Sequence, residues 1–201
     1  DRLVVRMDPS EASNTTSRVR ETELLAAFRG VLPVPEVFWL DDEPCWFPEP
    51  AIIYTFVEGV AKPRDASAGQ VVGLGTNFGP GLRQRLAPQF LQHLATIHTA
   101  DVGAMKFTSM DLPPVGTADC ARWQLHRARR VWEEDRGEDF PLMDVAANWL
   151  ERNLPLLDRL SVVHGDYRSG NFLFDESEGR ITAWLDWERG HLGDRHRDLA
   201  W

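Results

Sequence analysis

Three residues with oxygen-bearing side chains stand where they could serve the transfer of a phosphoryl group. Asp166 and Asn171 lie in the segment from His164 to Asn171, between two strand-like runs, and Asp186 follows a third such run. Phosphoryl transfer needs hard oxygen ligands for magnesium, a carboxylate near the attacking hydroxyl and positive charge around the phosphates. This part of the sequence supplies all three, with Arg168 as the cation.

The chemistry of each residue type suggests its role. We predict that Asp166 accepts or orients the proton of the attacking hydroxyl. Asn171 would return across a tight loop as a neutral magnesium ligand, and Asp186 would be the charged ligand. Arg168 could approach the transferred group, because a planar guanidinium with five donors suits phosphate oxygens.

Short strands and longer helices must position these residues. Apolar runs bounded by turn residues predict strands, and apolar residues at three-to-four spacing predict helices. The predicted strands cover residues 3–6, 37–40, 51–57, 161–163, 172–174 and 181–185; the predicted helices cover 18–28, 82–99, 118–134 and 142–153; and a polar turn is predicted at 8–16. The candidate residues therefore lie at the ends of the last short strands.

The motifs resemble a known superfamily of kinases. His-Gly-Asp, an Asn five residues after that Asp, and a strand-terminal Asp-Trp-Glu are similar to the aminoglycoside phosphotransferases and choline kinases. The stretch from His164 to Phe174, with Asp186 to Glu188 and the segment from Gly193 to Trp201, is especially similar to kinase domains fused to acyl-CoA dehydrogenases and to their free-standing bacterial relatives. The resemblance implies an α+β, protein-kinase-like fold of two lobes.

The resemblance also assigns upstream residues to nucleotide binding. It implies that Arg6 contacts the phosphates, that Glu21 on the first helix pairs with Arg6, and that Thr55 and Val57 form the adenine-binding hinge through their backbone groups. Arg6 replaces the Lys of many family members. Arg and Lys are not equivalent where geometry matters.

The same resemblance divides the chain into two lobes. Residues 1–57 would be the remainder of the small nucleotide-binding lobe, and residues 58–201 the helical large lobe with the catalytic loop. The chain begins without Met and ends at Trp201, where a helix is predicted to begin. We therefore expect the kinase fold to be truncated at both ends.

A glycine-rich stretch invites a different location for the nucleotide. Gly73 to Gly79 follows two valines, and glycines let backbone amides approach phosphates. A single glycine pattern is weak evidence, and this one falls after the expected hinge. We interpret it as a connector that leads into a helix.

A metallophosphoesterase is a second alternative, suggested by the run from Gly193 to His196. Together with His164 and Asp166 it could form a two-metal hydrolase site. Such a site needs further ligands, including an Asn-His pair, and the sequence has none. We instead predict that Asp194 begins a helix and that Asp198 anchors the catalytic loop from below.

Other conspicuous residues are interpreted as structural. His164 is predicted to be a hydrogen-bonding residue and not a general base. His93, His98 and His126 lack the spacing of metal ligands. The apolar face of the third helix, Ala121, Leu125, Ala128 and Trp132, is assigned to packing, and Arg127, Arg129 and Arg130 to the surface.

Composition limits the partners. The chain of 201 residues has 22 Lys and Arg against 31 Asp and Glu, a net charge of −9, which argues against general affinity for nucleic acid or anionic membranes. Its two cysteines, Cys45 and Cys120, indicate neither a disulfide framework nor a zinc site, and no apolar run is long enough to span a membrane. A cytoplasmic location fits this pattern.

The sequence thus leads to one hypothesis and one rival. The hypothesis is a magnesium-dependent kinase that moves the γ-phosphate of ATP or GTP to a hydroxyl of a small molecule. The rival is a kinase-like regulatory module that binds nucleotide without transferring phosphate. The presence of Asp166, Asn171 and Asp186 together favours the enzyme.

Overall fold

The computed structural model describes residues 2–8, 16–64 and 77–200. Its strands are β1 (Leu3–Met7), β2 (Val37–Asp41), β3 (Ala51–Thr55), β4 (Ser161–Val163), β5 (Phe172–Asp175), β6 (Arg180–Trp184) and β7 (His191–Gly193). Its α-helices are α1 (Arg18–Phe28), α2 (Gly79–Thr99), α3 (Asp119–Asp135), α4 (Pro141–Arg152) and α5 (His196–Leu199), with short 3-10 turns at Val102–Ala104 and Trp187–Arg189.

The first lobe is an antiparallel sheet covered by α1. The strand order is β1-β3-β2, so β3 is central, and Arg6 on β1 lies opposite Ile52 on β3. Helix α1 begins after Ser17, whose side chain accepts a hydrogen bond from the N–H of Arg20, as an N-cap does. Burial of Leu24 and Phe28 packs α1 against the rest of the core.

The second lobe is built on α2 and two small antiparallel sheets. One sheet pairs β4 with β7, and the other pairs β5 with β6. Leu86, Leu94 and Ile97 on α2 are buried in the common core. Helices α3 and α4 pack against each other beside the β4–β7 sheet.

Aromatic packing joins the two lobes beside the loop between β4 and β5. Trp184 and Trp187 are both fully buried. The ring of Tyr167 stacks on Trp184 at 4.1 Å between centroids, and Trp187 stacks on Phe28 of α1 at 5.3 Å. The N–H of Trp184 also donates to the carbonyl of Pro33 at 2.8 Å. The end of β6 is therefore held from both lobes, which fixes where the following Asp186 stands.

The predicted elements agree with the structure except at a few places. Helix α1 has the predicted bounds, but β3 ends at Thr55 and not at residue 57. Strand β7 was not predicted, because three residues that end in Gly carry too little pattern. Helix α5 begins at His196, and Asp194 accepts a hydrogen bond from the N–H of His196 at 2.9 Å just before it.

Three sequence-based predictions concern residues beyond the described ones. Residues 9–15 of the predicted polar turn, residues 73–76 of the glycine-rich stretch and Trp201 all lie outside the part of the chain that the structure describes. Within the described part, Asn77 and Phe78 lead directly into α2.

The apolar face of α3 is only partly packed. Leu125 is buried, but Ala128 is exposed, and this face borders a cavity shared with α4. The assignment of the face to core packing therefore holds for Leu125 and is wrong for Ala128. A helical stripe cannot reveal from sequence alone whether its partner fills the facing space.

None of the described helices combines the length and the apolar character needed to cross a membrane.

Candidate active site

The loop between β4 and β5 is anchored from below by Asp198. The carboxylate of Asp198 accepts hydrogen bonds from the N–H groups of His164 at 2.9 Å and Gly165 at 2.8 Å. His98 on α2 donates to the same carboxylate at 3.0 Å. Burial opposes ionisation, but these hydrogen bonds outweigh it and lower the pKa of Asp198. The predicted anchor thus lies where it can hold the start of the loop.

His164 is a buried structural residue in the same loop. Its Nε2 lies 3.0 Å from the carbonyl of Leu185, to which it donates, and its Nδ1 can then accept from the N–H of Asp166 at 3.4 Å. Burial lowers the pKa of His164, so the ring is neutral. It therefore connects the loop between β4 and β5 to the residue that precedes Asp186.

Asp166 is nearly buried and held by two neighbours. Asn171 Nδ2 donates to Asp166 Oδ2 at 2.7 Å and to its backbone carbonyl at 2.9 Å. Arg168 Nε lies 3.1 Å from both carboxylate oxygens. The residue as a whole is 7% exposed. A carboxylate held in this way is oriented before any substrate arrives.

Asp186 follows β6 in an unusual backbone conformation. Its φ of 64° makes it the one non-glycine residue with positive φ in the described part of the chain. Such a conformation costs about 1–3 kcal/mol and persists at sites where the surrounding structure imposes it. The N–H of Leu185 donates to the carbonyl of Asn171 at 2.8 Å, which brings Asn171 and Asp186 to the same end of the β5–β6 pair.

Arg6 brings the first lobe to this site. Its Nη1 lies 3.2 Å from Glu21, and its Nη2 lies 2.6 Å from Asp186 Oδ1 and 2.6 Å from Glu188 Oε2. Although burial opposes its charge, Glu21 and Asp186 raise the pKa of Arg6 above its usual range. The structure thus joins β1, α1 and the Asp-Trp-Glu segment through one guanidinium.

Arg18 completes this network and was missed in the sequence. It is 2% exposed, pairs with Glu21 within α1, and donates to Asp8 at 2.7 Å and to Glu188 at 3.3 Å. A buried arginine is stable only where carboxylates surround it. The sequence signal for this pair was the position of Arg18 three residues before Glu21 on a predicted helix. Such an i,i+3 ion pair more often lies on the solvent-exposed face of a helix.

Thr55 and Val57 lie apart from this cluster. Thr55 ends β3, and its N–H donates to the carbonyl of Glu36 at 2.9 Å. Val57 lies beyond the strand, in the segment that leads to the second lobe, where Val60 exchanges hydrogen bonds with Phe174 of β5. The N–H of Thr55 is thus already bonded within the sheet.

The donor set of the loop fits magnesium. The Nδ2 of Asn171 donates to Asp166, so its side-chain oxygen remains as a possible metal ligand. Asp186 has a second carboxylate oxygen beside the one bonded to Arg6. Magnesium takes hard oxygens, with one or two protein ligands and the rest from water and phosphate. The described residues contain no group of three or more His, Cys, Asp or Glu side chains arranged for a metal. Magnesium bound by two protein ligands, water and phosphate does not require such a group.

Acid is expected to destabilise the fold through His191 on β7. Burial is the main cause that lowers the pKa of His191 from 6.5 to about 4. The unfolded chain takes up this proton below pH 6.5 while the folded chain does not, so stability falls from pH 6.5 down to 4. His191→Gln should make this fall shallower, and urea unfolding across this pH range measures it. An unchanged pH dependence in the variant would contradict the assignment of this loss of stability to His191.

Sequence comparison identifies the group of proteins to which this architecture is similar. The whole chain, residues 1–201, matches the phosphotransferase enzyme family. It is 25% identical over 202 residues to acyl-CoA dehydrogenase family member 10 of Mus musculus, and 30% identical over 196 residues to probable acyl-CoA dehydrogenase IBR3 of Arabidopsis thaliana. These matches cover 99% and 90% of this chain but only 18% and 22% of those proteins.

Solved structures agree with this relationship. A candidate aminoglycoside phosphotransferase of Ralstonia eutropha is 25% identical, with a TM-score of 0.73 over 98% of this chain and 55% of that one. Aminoglycoside phosphotransferase APH(4)-Ia is 20% identical, with a TM-score of 0.63 over 98% of this chain and 63% of that one, and its likeness concerns the fold. The predicted protein-kinase-like fold is confirmed, and this chain spans 55% and 63% of those two structures. Because the family model matches the whole chain and the fold agrees with it, the chain belongs to the phosphotransferase enzyme family.

Proposed function

We propose that the chain carries the catalytic centre of a kinase that moves the γ-phosphate of ATP or GTP to a hydroxyl of a small molecule. The observation that supports this most is the convergence of Asp166, Asn171 and Asp186 at one end of the β5–β6 pair, beneath Arg6 from the other lobe. Phosphoryl transfer depends on positioning and charge, and this arrangement supplies both.

Asp166 is the group assigned to the acceptor. Its carboxylate is oriented by Asn171 at 2.7 Å and is nearly buried, so a hydroxyl that reaches it meets a fixed acceptor of its proton. Proton acceptance by a positioned side chain contributes about 10²- to 10⁴-fold to rate. Arg168, 3.1 Å from the same carboxylate, carries the positive charge nearest to the reacting oxygens.

Arg6 and Glu21 are assigned to the phosphates of the donor. In protein kinases a cation on a strand of the small lobe, paired with a helix glutamate, positions these phosphates. Arg6 is paired with Glu21 at 3.2 Å, which supports the same role. Arg6 also contacts Asp186, so in the nucleotide complex its guanidinium would bind both Asp186 and the phosphates.

Asn171 and Asp186 are the residues that would hold magnesium. When bound, this ion would neutralise the negative charge on the donor phosphates. The chain contributes one neutral and one charged oxygen donor, and His164 keeps the segment before Asp186 in place through the carbonyl of Leu185. The strained backbone of Asp186 supports a functional reason for its position.

A nucleotide donor, ATP or GTP, is supported by structural neighbours. APH(4)-Ia was solved with AMP-PNP and hygromycin B, and aminoglycoside 2'-phosphotransferase IIIa with GDP. We assign the adenine or guanine to the segment after β3, with Val57 as the backbone partner and Thr55 as the end of the supporting strand.

Asp186→Asn is expected to weaken magnesium-dependent binding of ATP by at least about tenfold. Asn tolerates positive φ, so the substitution removes charge without imposing new backbone strain. Calorimetric titration of ATP with and without magnesium measures the effect, and Asp175→Asn, at the far end of the same strand pair, is the matched control. Equal magnesium dependence in both variants would contradict the assignment of Asp186.

The experiment that tests the proposed function is ADP formation from ATP in the presence of hydroxyl compounds. A kinase forms ADP only as fast as an acceptor takes phosphate, whereas a hydrolase forms it without any acceptor. ADP formation that rises with acceptor concentration supports the proposal. ADP formation at the same rate with and without acceptor would refute it.

A further inference from the structure

Arg18 is a buried cation that the proposed roles do not use. Its side chain is 1% exposed and stands at the first position of α1. Burying a charge costs free energy, and an apolar side chain of similar size often serves the stability of a fold equally well or better. Stability alone therefore does not explain an arginine at this position.

Helix formation does not explain Arg18 either. The amino-terminal end of a helix carries partial positive charge, which favours anions and disfavours cations. An ion pair along a helix is also weaker when the cation precedes the anion, as Arg18 precedes Glu21. The reason for Arg18 is therefore sought in the contacts that it makes outside α1.

Each nitrogen of the Arg18 guanidinium contacts a different carboxylate. Its Nε donates to Asp8 Oδ1 at 2.7 Å, its Nη2 donates to Glu188 Oε2 at 3.3 Å, and its Nη1 pairs with Glu21 Oε2. These carboxylates come from the residue after β1, from the turn after β6 and from α1 itself. One side chain thus fixes three separate segments relative to one another.

Arg6 shares two of these carboxylates with Arg18. Glu21 offers Oε1 to Arg6 at 3.2 Å and Oε2 to Arg18. Glu188 Oε2 lies 2.6 Å from Arg6 Nη2 and 3.3 Å from Arg18 Nη2. The carboxylates of Glu21 and Glu188 therefore hold Arg6 in a place that depends on how Arg18 holds them.

The balance of charge around Arg6 also depends on Arg18. The guanidinium of Arg6 alone would face the carboxylates of Glu21, Asp186 and Glu188. Carboxylates close together repel one another unless cations lie between them. Since Arg18 pairs with Glu21 and Glu188, it supplies the second positive charge on that part of the cluster, and Asp186 is left to Arg6.

We propose that Arg18 is a positioning residue that holds Glu21 and Glu188 where they orient Arg6 toward the phosphates of the donor. The inference rests on the proposed function, in which Arg6 contacts these phosphates, and it adds a residue that acts through Arg6. A guanidinium that is already oriented loses less freedom when phosphate binds, so its contact contributes more to affinity.

Binding of ATP, measured by calorimetry with magnesium and without acceptor, tests this role in the absence of turnover. Arg18→Gln and Arg18→Lys should each weaken ATP binding by about tenfold. Lysine keeps the charge, but its compact ammonium cannot reproduce the planar fork that reaches three carboxylates. The lysine variant therefore separates the geometry of Arg18 from its charge.

A double-mutant cycle shows whether Arg18 acts through Arg6. Arg6→Gln should weaken ATP binding by at least about tenfold, because it removes a charged contact to phosphate. In the Arg6→Gln background, either substitution of Arg18 should change ATP binding by less than about twofold. A residue that only stabilises the fold would weaken ATP binding equally with and without Arg6.

Arg20→Gln is the matched control. Arg20 lies two positions further along α1, donates to the carbonyl of Ser109 at 2.9 Å and pairs with exposed Asp111 at 3.3 Å. ATP binding of this variant should equal that of the wild-type protein. Circular dichroism shows whether each variant is folded. If Arg18→Gln does not fold, Arg18→Lys, which retains a buried cation, provides the same comparison in both backgrounds.

The results separate this inference from the proposed function. Weaker ATP binding in the Arg18 variants, and no further loss when Arg6 is already replaced, supports the positioning role. Wild-type affinity in either Arg18 variant, or an equal loss in both backgrounds, overturns it while Arg6 keeps its assignment. Wild-type affinity in Arg6→Gln would overturn the assignment of Arg6 to the phosphates, and this inference with it.

Discussion

Asp166→Asn is expected to slow phosphate transfer by about 10²- to 10⁴-fold. The amide has nearly the same shape as the carboxylate, so it can still contact Arg168, but it cannot accept the proton of the attacking hydroxyl. The fold should persist, because Asp198 and His164 hold the loop independently of this side chain. The loss should appear in kcat, with the KM for ATP nearly unchanged.

Steady-state kinetics with saturating ATP and magnesium measures this effect. Asp175→Asn is the matched control, since Asp175 ends β5 and bonds only to the adjacent turn at Ser177 and Glu178. A control with wild-type kcat shows that carboxylate loss in general is harmless. If Asp166→Asn kept more than about a tenth of wild-type kcat, Asp166 would not be the base.

Asp198→Ala is expected to lower the free energy of unfolding by about 3–5 kcal/mol. The substitution leaves the buried ring of His98 and the N–H groups of His164 and Gly165 without their acceptor. Each unpaired buried donor costs about 1–3 kcal/mol. Since domains are stable by about 5–15 kcal/mol, this single change takes away a large part of the total.

Urea unfolding at neutral pH measures the loss. Asp158→Ala serves as control, because Asp158 is an exposed carboxylate whose ion pair with Arg195 lies at the surface, where such pairs contribute little. A loss in Asp198→Ala no larger than in Asp158→Ala would show that the loop does not depend on this anchor.

The candidate catalytic segment was predictable because its information is local. Asp166, Arg168 and Asn171 lie within one short loop, so spacing alone placed them together, and a strand-terminal Asp186 completed the pattern. The family and the kinase-like fold that this pattern implied are confirmed. The roles of these residues remain predictions that the substitutions above test.

Contacts between distant parts of the chain could not be predicted in the same way. Arg18 and Glu188 are separated by 170 positions and meet only because α1 packs on Trp187. His98 was interpreted as a partly buried or surface histidine and not a metal ligand, but its partner Asp198, 100 positions away, could not be identified from the sequence. Neither pair has a spacing signal, since the fold alone brings the partners together.

Arg127 shows a related limit on a helix surface. Together with Arg129 and Arg130 it is assigned to the surface by the sequence, and it is exposed as expected. The structure also places it beside the cavity shared by α3 and α4, while Arg130 pairs with Glu134 along the helix. Which arginine faces a cavity depends on where α4 and β7 pack, and that information is absent from the helix itself.

The most direct test of the central claim is transfer of labelled phosphate from γ-labelled ATP, with magnesium, to hydroxyl compounds of anionic, neutral and cationic classes. The proposed kinase predicts label on a hydroxyl compound, formed together with ADP and absent in Asp166→Asn. ATP binding without label on any hydroxyl compound would contradict the kinase and favour a nucleotide-binding regulatory module.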